Sequence, residues 1–92
     1  MNQTVHVLIS GLVQGVWYRG WTVQQAQARN LSGWVRNLSD GRVEALLHGA
    51  AADVQSMLQA CRQGPPAAQV RDVVVQPCTD IPGPGFHQRP TV

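Results

Sequence analysis

The stretch GLVQGVWYR, from Gly11 to Arg19, follows a β-branched run and precedes a predicted helix. Glycines allow a chain to turn so that successive N–H groups converge, and a helix N-terminus adds the positive end of its dipole. An arginine at the mouth of the helix supplies a planar, permanently charged group that suits phosphate oxygens. From the residues alone, this loop is predicted to bind a phosphate group.

The composition limits what can surround this loop. The chain has 92 residues, of which 43% are apolar and 13% are charged, so we expect a single domain over residues 1–92. All seven basic residues are arginines, which excludes lysine Schiff-base chemistry and a Walker-type phosphate loop. The net charge of +2 is too small and dispersed to indicate nucleic-acid binding.

The sequence shows no sign of a membrane segment, a signal peptide or a metal-binding cysteine pair. No apolar run suggests a membrane span, and the first residues lack the layout of a signal peptide. We therefore expect a cytoplasmic monomer without membrane or nucleic-acid partners. Cys61 and Cys78 do not form a close metal-binding pair, and Cys61 falls on the apolar stripe of a predicted helix. We expect neither a metal nor another cofactor, and we interpret the three histidines as structural or surface residues.

The predicted elements follow the order strand, helix, strand, strand, helix, strand. They lie at residues 4–10, 20–30, 34–38, 42–48, 50–62 and 70–76, with a hairpin turn at Ser39-Asp-Gly41. This order predicts an α+β, ferredoxin-like split βαβ sandwich (βαββαβ), with a four-stranded antiparallel sheet and both helices on one face. The proline-rich tail from Pro77 should be mostly loop, with a possible short fifth edge strand at 86–89.

Two motifs in this frame resemble those of the acylphosphatase family. One is the loop Gly-x-Val-Gln-Gly-Val-x-aromatic-Arg, and the other is GWVRN at 33–37, directly before the hairpin. The resemblance covers nearly the whole chain, from the first strand into the fourth. It implies a small, metal-free enzyme that hydrolyses the carboxyl–phosphate anhydride of a small-molecule acyl phosphate.

The resemblance also implies roles for particular residues. Arg19 would hold the phosphate and Asn37 would orient the attacking water. The backbone N–H groups that assist Arg19 would be those of Gln14, Gly15, Val16, Trp17 and Tyr18. Tyr18 occupies a position where the family usually has phenylalanine. Arg36 precedes Asn37 on the opposite strand face and should not share the pocket.

The sequence also predicts where the three tryptophan side chains lie. We expect Trp34 to pack in the core between helices and sheet, and Trp17 and Trp21 to flank the site and contact the acyl group.

Other functions remain open at this point. A non-catalytic regulatory module could keep the loop as an anion receptor. Related domains occur within larger carbamoyl-transfer maturation proteins, but we do not expect their partner domains in a chain of 92 residues. An RNA-binding domain of this fold would need exposed aromatic residues on its central strands, predicted at 5–9 and 70–75, and neither stretch has any. A metal chaperone of this fold would need paired cysteines in the first loop, which has none.

Overall fold

Five strands form one sheet, and two helices connect them. The computed structural model describes all 92 residues. The elements are β1 (Asn2–Leu12), α1 (Tyr18–Ala28), β2 (Ser32–Asn37), β3 (Val43–Ala50), α2 (Ala51–Gln63), β4 (Gln69–Pro77) and β5 (Phe86–Gln88). Neither helix has the length and apolar character that crossing a bilayer requires.

The strand order is β4-β1-β3-β2-β5. Strand β1 pairs antiparallel with β3 and β4, and β2 pairs antiparallel with β3. This confirms the split βαβ prediction, and the possible fifth strand is present as three residues that pair parallel to β2. One expectation is wrong: the strand at 70–75 is not central, because β4 lies at the edge and β3 pairs with β1 in the middle.

The core lies between the helices and one face of the sheet. Side chains of a strand alternate between the two faces, so β1 directs Val5, Val7 and Ile9 into the core, where each is at most 2% exposed. From the other side, α2 contributes the predicted stripe of Val54, Met57, Leu58 and Cys61, all of which are buried. The period-two and period-3.6 patterns of the sequence therefore meet as expected.

Trp34 lies on the open face of the sheet, which corrects the prediction that it packs in the core. Val35 is fully buried on the helix side of β2, so strand alternation places both of its neighbours on the other side. There the guanidinium carbons of Arg36 and Arg89 each lie 4.8 Å from the centroid of the Trp34 ring. Arg36 also donates a 2.6 Å hydrogen bond to Glu44.

The tail after β5 continues along the outer edge of β2. The N–H of Arg89 donates to the carbonyl of Val35 at 2.9 Å, and the N–H of Val92 donates to the carbonyl of Asn37 at 3.3 Å. The N–H of Ser39 donates in turn to the Val92 carbonyl at 2.8 Å. The last residues of the chain therefore hold the backbone on both sides of Asn37.

Candidate active site

The first loop of the chain is shorter than its glycines suggest. Strand β1 continues through Gly11, where its pairing with β4 shifts register at a bulge. A Cβ on Gly11 would lie only 2.2 Å from the carbonyl oxygen of Gln69, and the φ of Gly11 is +122°. Gly11 therefore serves close strand packing, and the predicted phosphate loop begins after Leu12.

The remaining loop has the backbone geometry of an anion nest. Gly15 has a φ of 74° and Trp17 has a φ of 67°, so both residues are in the left-handed region. Val16, between them, does not have a positive φ. Such alternation turns consecutive N–H groups toward a common centre. None of the hydrogen bonds outside the helices and strands uses the N–H of Gln14, Gly15, Val16 or Trp17 as a donor.

Helix α1 extends this set of free donors. It begins at Tyr18, and its first N–H groups have no carbonyl one turn earlier within the helix. Arg19 lies in this first turn, where the positive end of the helix dipole disfavours a cation unless an anion is also present. The ion pairs of the molecule involve Glu44 and Asp40 with other partners and leave Arg19 without a carboxylate.

A cavity of about 140 Å³ opens between this loop and the end of β2. The residues that line it are Val13, Gln14, Gly15, Trp17, Tyr18, Arg19, Gly20, Asn37 and Gln88. The structure thus brings together every predicted site residue except Val16, whose side chain packs against the core. Arg36 does not line the cavity, as strand alternation predicted.

Asn37 lines this cavity and carries an unpaired amide oxygen. It is the last residue of β2, and its Oδ1 is the one buried side-chain polar atom without a hydrogen-bond partner. A buried amide oxygen without a partner costs about 1–3 kcal/mol. Such an atom beside a cavity is suited to bind a water or a ligand that enters the cavity.

The side chain of Gln14 connects the loop to the hairpin that carries Asn37. Its Nε2 donates to the carbonyls of Leu38 at 2.7 Å and Arg42 at 2.9 Å. The N–H of Leu38 also donates to the carbonyl of Arg42 at 2.8 Å, which closes the hairpin. Sequence reasoning considered only the backbone of Gln14, and its side chain holds the two halves of the site together.

Replacing Gln14 with alanine should lower the free energy of unfolding by about 1–3 kcal/mol, because two hydrogen bonds are lost, at about 0.5–1.5 kcal/mol each, although each carbonyl keeps a backbone N–H donor. Turnover should fall as well, since the loop and Asn37 lose their shared anchor. Urea unfolding and steady-state kinetics measure the two effects. The matched control is Gln55→Ala, which removes an exposed hydrogen bond to Gln3 and should change both quantities little. Equal effects of the two substitutions would contradict the positioning role.

The side chain of Tyr18 belongs to the core and only its backbone to the site. The ring is 1% exposed, and its hydroxyl donates a 2.6 Å hydrogen bond to the carbonyl of Cys61. Burial, with a smaller effect of Cys61, raises the pKa of Tyr18, so the hydroxyl remains a donor. It satisfies a carbonyl in the last turn of α2, which has no intrahelical partner. Burial also raises the pKa of the Cys61 thiol to about 11.

The positions of Trp21 and Gln88 relative to the cavity differ from what the sequence led us to expect. Trp21 does not line the cavity; its ring lies 5.2 Å from that of Tyr18 and packs against the core. Gln88, which sequence reasoning missed, does line it. Gln88 follows buried Phe86 by two residues and so shares its face. The two-residue spacing from Phe86 could have indicated that Gln88 faces the helix side of the sheet. It places Gln88 at the cavity only once β5 is known to pair with β2.

Comparisons with known proteins agree with this geometry. A family model described as acylphosphatase matches residues 5–88. An acylphosphatase of Rhodospirillum rubrum is 57% identical over 90 residues, which is 98% of this chain and 99% of that protein. The structure of an acylphosphatase from Coxiella burnetii is 33% identical with a TM-score of 0.92, over 96% of this chain and 93% of the other. The acylphosphatase structure from Bacillus subtilis is 34% identical with a TM-score of 0.90, over 97% and 99%.

Proposed function

This chain belongs to the acylphosphatase family and hydrolyses acyl phosphates, and we propose that the cavity between the first loop and Asn37 is where it does so. Arg19 and the backbone N–H groups of residues 14–18 bind the phosphoryl group, and Asn37 orients the attacking water. The observation that carries this proposal is that one cavity is lined both by a nest of free N–H donors and by Asn37, whose buried amide oxygen has no hydrogen-bond partner.

The phosphate half of the site supplies positioning and charge. A phosphoryl group carries three oxygens, which the loop N–H groups, the N-terminus of α1 and the Arg19 guanidinium can engage together. In a loose transition state, charge spreads over those oxygens, and fixed donors in a small cavity stabilise it without reorganisation. Arginine suits this position because its planar group binds two oxygens at once.

The water half of the site is Asn37. Its amide can accept one hydrogen bond from a water and donate another, which fixes the orientation of that water beside the phosphorus. The water oxygen forms a new bond to phosphorus as the bond from phosphorus to the carboxylate oxygen breaks. The carboxylate leaves with the electron pair. A phosphate oxygen of the substrate takes the water proton, as the family resemblance implies, and carboxylate and inorganic phosphate are the products.

The experiment is an assay of phosphate release from acetyl phosphate and benzoyl phosphate in the presence of a chelator. We expect turnover without added metal, because a good carboxylate leaving group needs positioning and charge stabilisation rather than a strong acid or base. Activity that chelation abolishes would contradict the metal-free mechanism. Binding of inorganic phosphate without any turnover would favour the alternative, a non-catalytic anion-binding module.

We also propose that the protein acts as a single domain over residues 1–92, as a monomer in the cytoplasm, without nucleic-acid or membrane partners. The small net charge of +2 argues against a nucleic-acid partner. Strands β1 and β3, at the centre of the sheet, also have no Phe, Tyr or Trp that could stack a base. Sedimentation analysis of the purified chain tests the oligomeric state.

A further inference from the structure

Trp17 is an unusual residue for its position. It is the N-cap of α1 with φ 67° and ψ 25°, a left-handed conformation that is costly for a bulky side chain. It makes no side-chain capping bond, and it is 58% exposed, so burial returns little of that cost. Stability therefore does not account for a tryptophan here. Strained residues of this kind concentrate at functional sites.

The indole ring of Trp17 packs on the first turn of α1. A Cβ on Gly20 would lie 2.2 Å from the indole Nε1, 2.9 Å from Cδ1 and 3.0 Å from Cε2. The ring therefore lies directly over the Gly20 backbone, in space that any larger residue would occupy. Both residues line the same cavity as Arg19. An exposed aromatic ring is thus fixed at the rim of the phosphate site.

The cavity is too small to enclose the whole of a larger acyl phosphate. About 140 Å³ is well below the roughly 300–1,000 Å³ of pockets that enclose drug-sized ligands. With the phosphoryl group inside, an acyl group as large as benzoyl extends to the rim. The apolar lining residues Val13 and Tyr18 are each 1% exposed and unavailable to it. Trp17 is the one large apolar side chain of the lining that is exposed.

We propose that the Trp17 indole, seated on Gly20, is the contact surface for the acyl group and gives the enzyme a preference for aromatic acyl phosphates over acetyl phosphate. This inference rests on the proposed function of the cavity. Aromatic rings gain from offset or tilted stacking beyond the area they bury, and an acetyl group cannot. Because the contact is made with a part of the substrate that does not react, it should act mainly on KM.

The test compares kcat/KM for benzoyl phosphate with that for acetyl phosphate. Asparagine tolerates the left-handed conformation and keeps the backbone N–H, so Trp17→Asn replaces the ring with a small amide while the backbone of the loop is retained. In Trp17→Asn we expect the ratio of kcat/KM for benzoyl phosphate to that for acetyl phosphate to fall roughly fivefold to tenfold, mainly through KM. Trp17→Phe, which keeps an aromatic ring, should retain most of the ratio. Gly20→Ala should lower the ratio when Trp17 is present but not in the Trp17→Asn background, where no ring is displaced.

The outcomes separate this inference from the function on which it rests. Trp21→Phe, which alters an aromatic residue that does not line the cavity, should leave the ratio unchanged. A ratio that Trp17→Asn does not change, while turnover still depends on Arg19, would overturn the acyl contact and leave the site intact. Absence of turnover in the unmodified protein would overturn both. Competitive inhibition by phenylphosphonate and methylphosphonate should show the same shift in ratio without a chemical step.

Discussion

Arg19→Ala is expected to lower kcat/KM for acetyl phosphate by about 10³-fold or more, the range found when an arginine that stabilises phosphoryl charge is removed. The loop N–H groups remain, but the only cationic side chain that lines the cavity is lost. Phosphate binding should fall as well. The free energy of unfolding that inorganic phosphate adds to a folded protein rises with the logarithm of its affinity once the site is mostly occupied, so urea unfolding with and without phosphate measures this loss.

Two further variants make the Arg19 result specific. Arg19→Lys keeps the charge but replaces a planar group with a point charge, so we expect activity to stay well below that of the unmodified protein. Arg62→Ala removes one positive charge from the exposed end of α2, which does not line the cavity, and should leave turnover nearly unchanged. If phosphate protected Arg19→Ala against unfolding as well as it protects the unmodified protein, Arg19 would not be the phosphate ligand.

Asn37→Ala is expected to separate binding from turnover. Removing one fixed polar group that acts on the reaction typically costs about 10²–10³-fold in kcat, and here the lost group is the one that we propose orients the water. The phosphate donors are all retained, so phosphate should still protect the variant against unfolding. The folded state should not lose stability from a broken bond, because Oδ1 of Asn37 has no protein partner to lose.

The neighbouring residue provides the control for Asn37. Arg36 lies on the same strand with its side chain on the open face, where it contacts Glu44 and Trp34. Arg36→Ala should therefore weaken that surface cluster and change kcat by no more than about twofold. If Arg36→Ala and Asn37→Ala lowered kcat to the same extent, the effect would come from the strand and not from a water held by Asn37.

The elements of the fold could be predicted because their signals are local. Strand β1 and helix α2 show their periods within about a dozen residues, and the hairpin turn at Asp40 depends on neighbouring residues only. The prediction that Gly11 belongs to the phosphate loop was wrong because it, too, used only local signals. A glycine before a loop has more than one local interpretation, and only the close approach of β4 shows that Gly11 serves the sheet.

The side-chain partners of the site could not be predicted in the same way. The bonds from Gln14 reach residues 24 and 28 positions away in the chain. Gln88 reaches the cavity only because β5 joins β2 in parallel register, and the tail holds Asn37 only because it continues along that edge. Trp34 was misplaced for a related reason: its neighbour Val35 takes the core side, and alternation then assigns Trp34 to the open face.

The loop that ends at Arg19, Asn37 of the GWVRN motif, and the order of helices and strands could all be predicted from the sequence. Each of these depends on residue types and spacings within a short segment, where backbone geometry and periodicity act directly. The folded chain was needed to show that Gln14 connects the first loop to the hairpin, that Gln88 lines the cavity, and that the Trp17 ring lies on Gly20. Those contacts depend on strand order, register and the fit of side chains in space, which are properties of the folded chain as a whole.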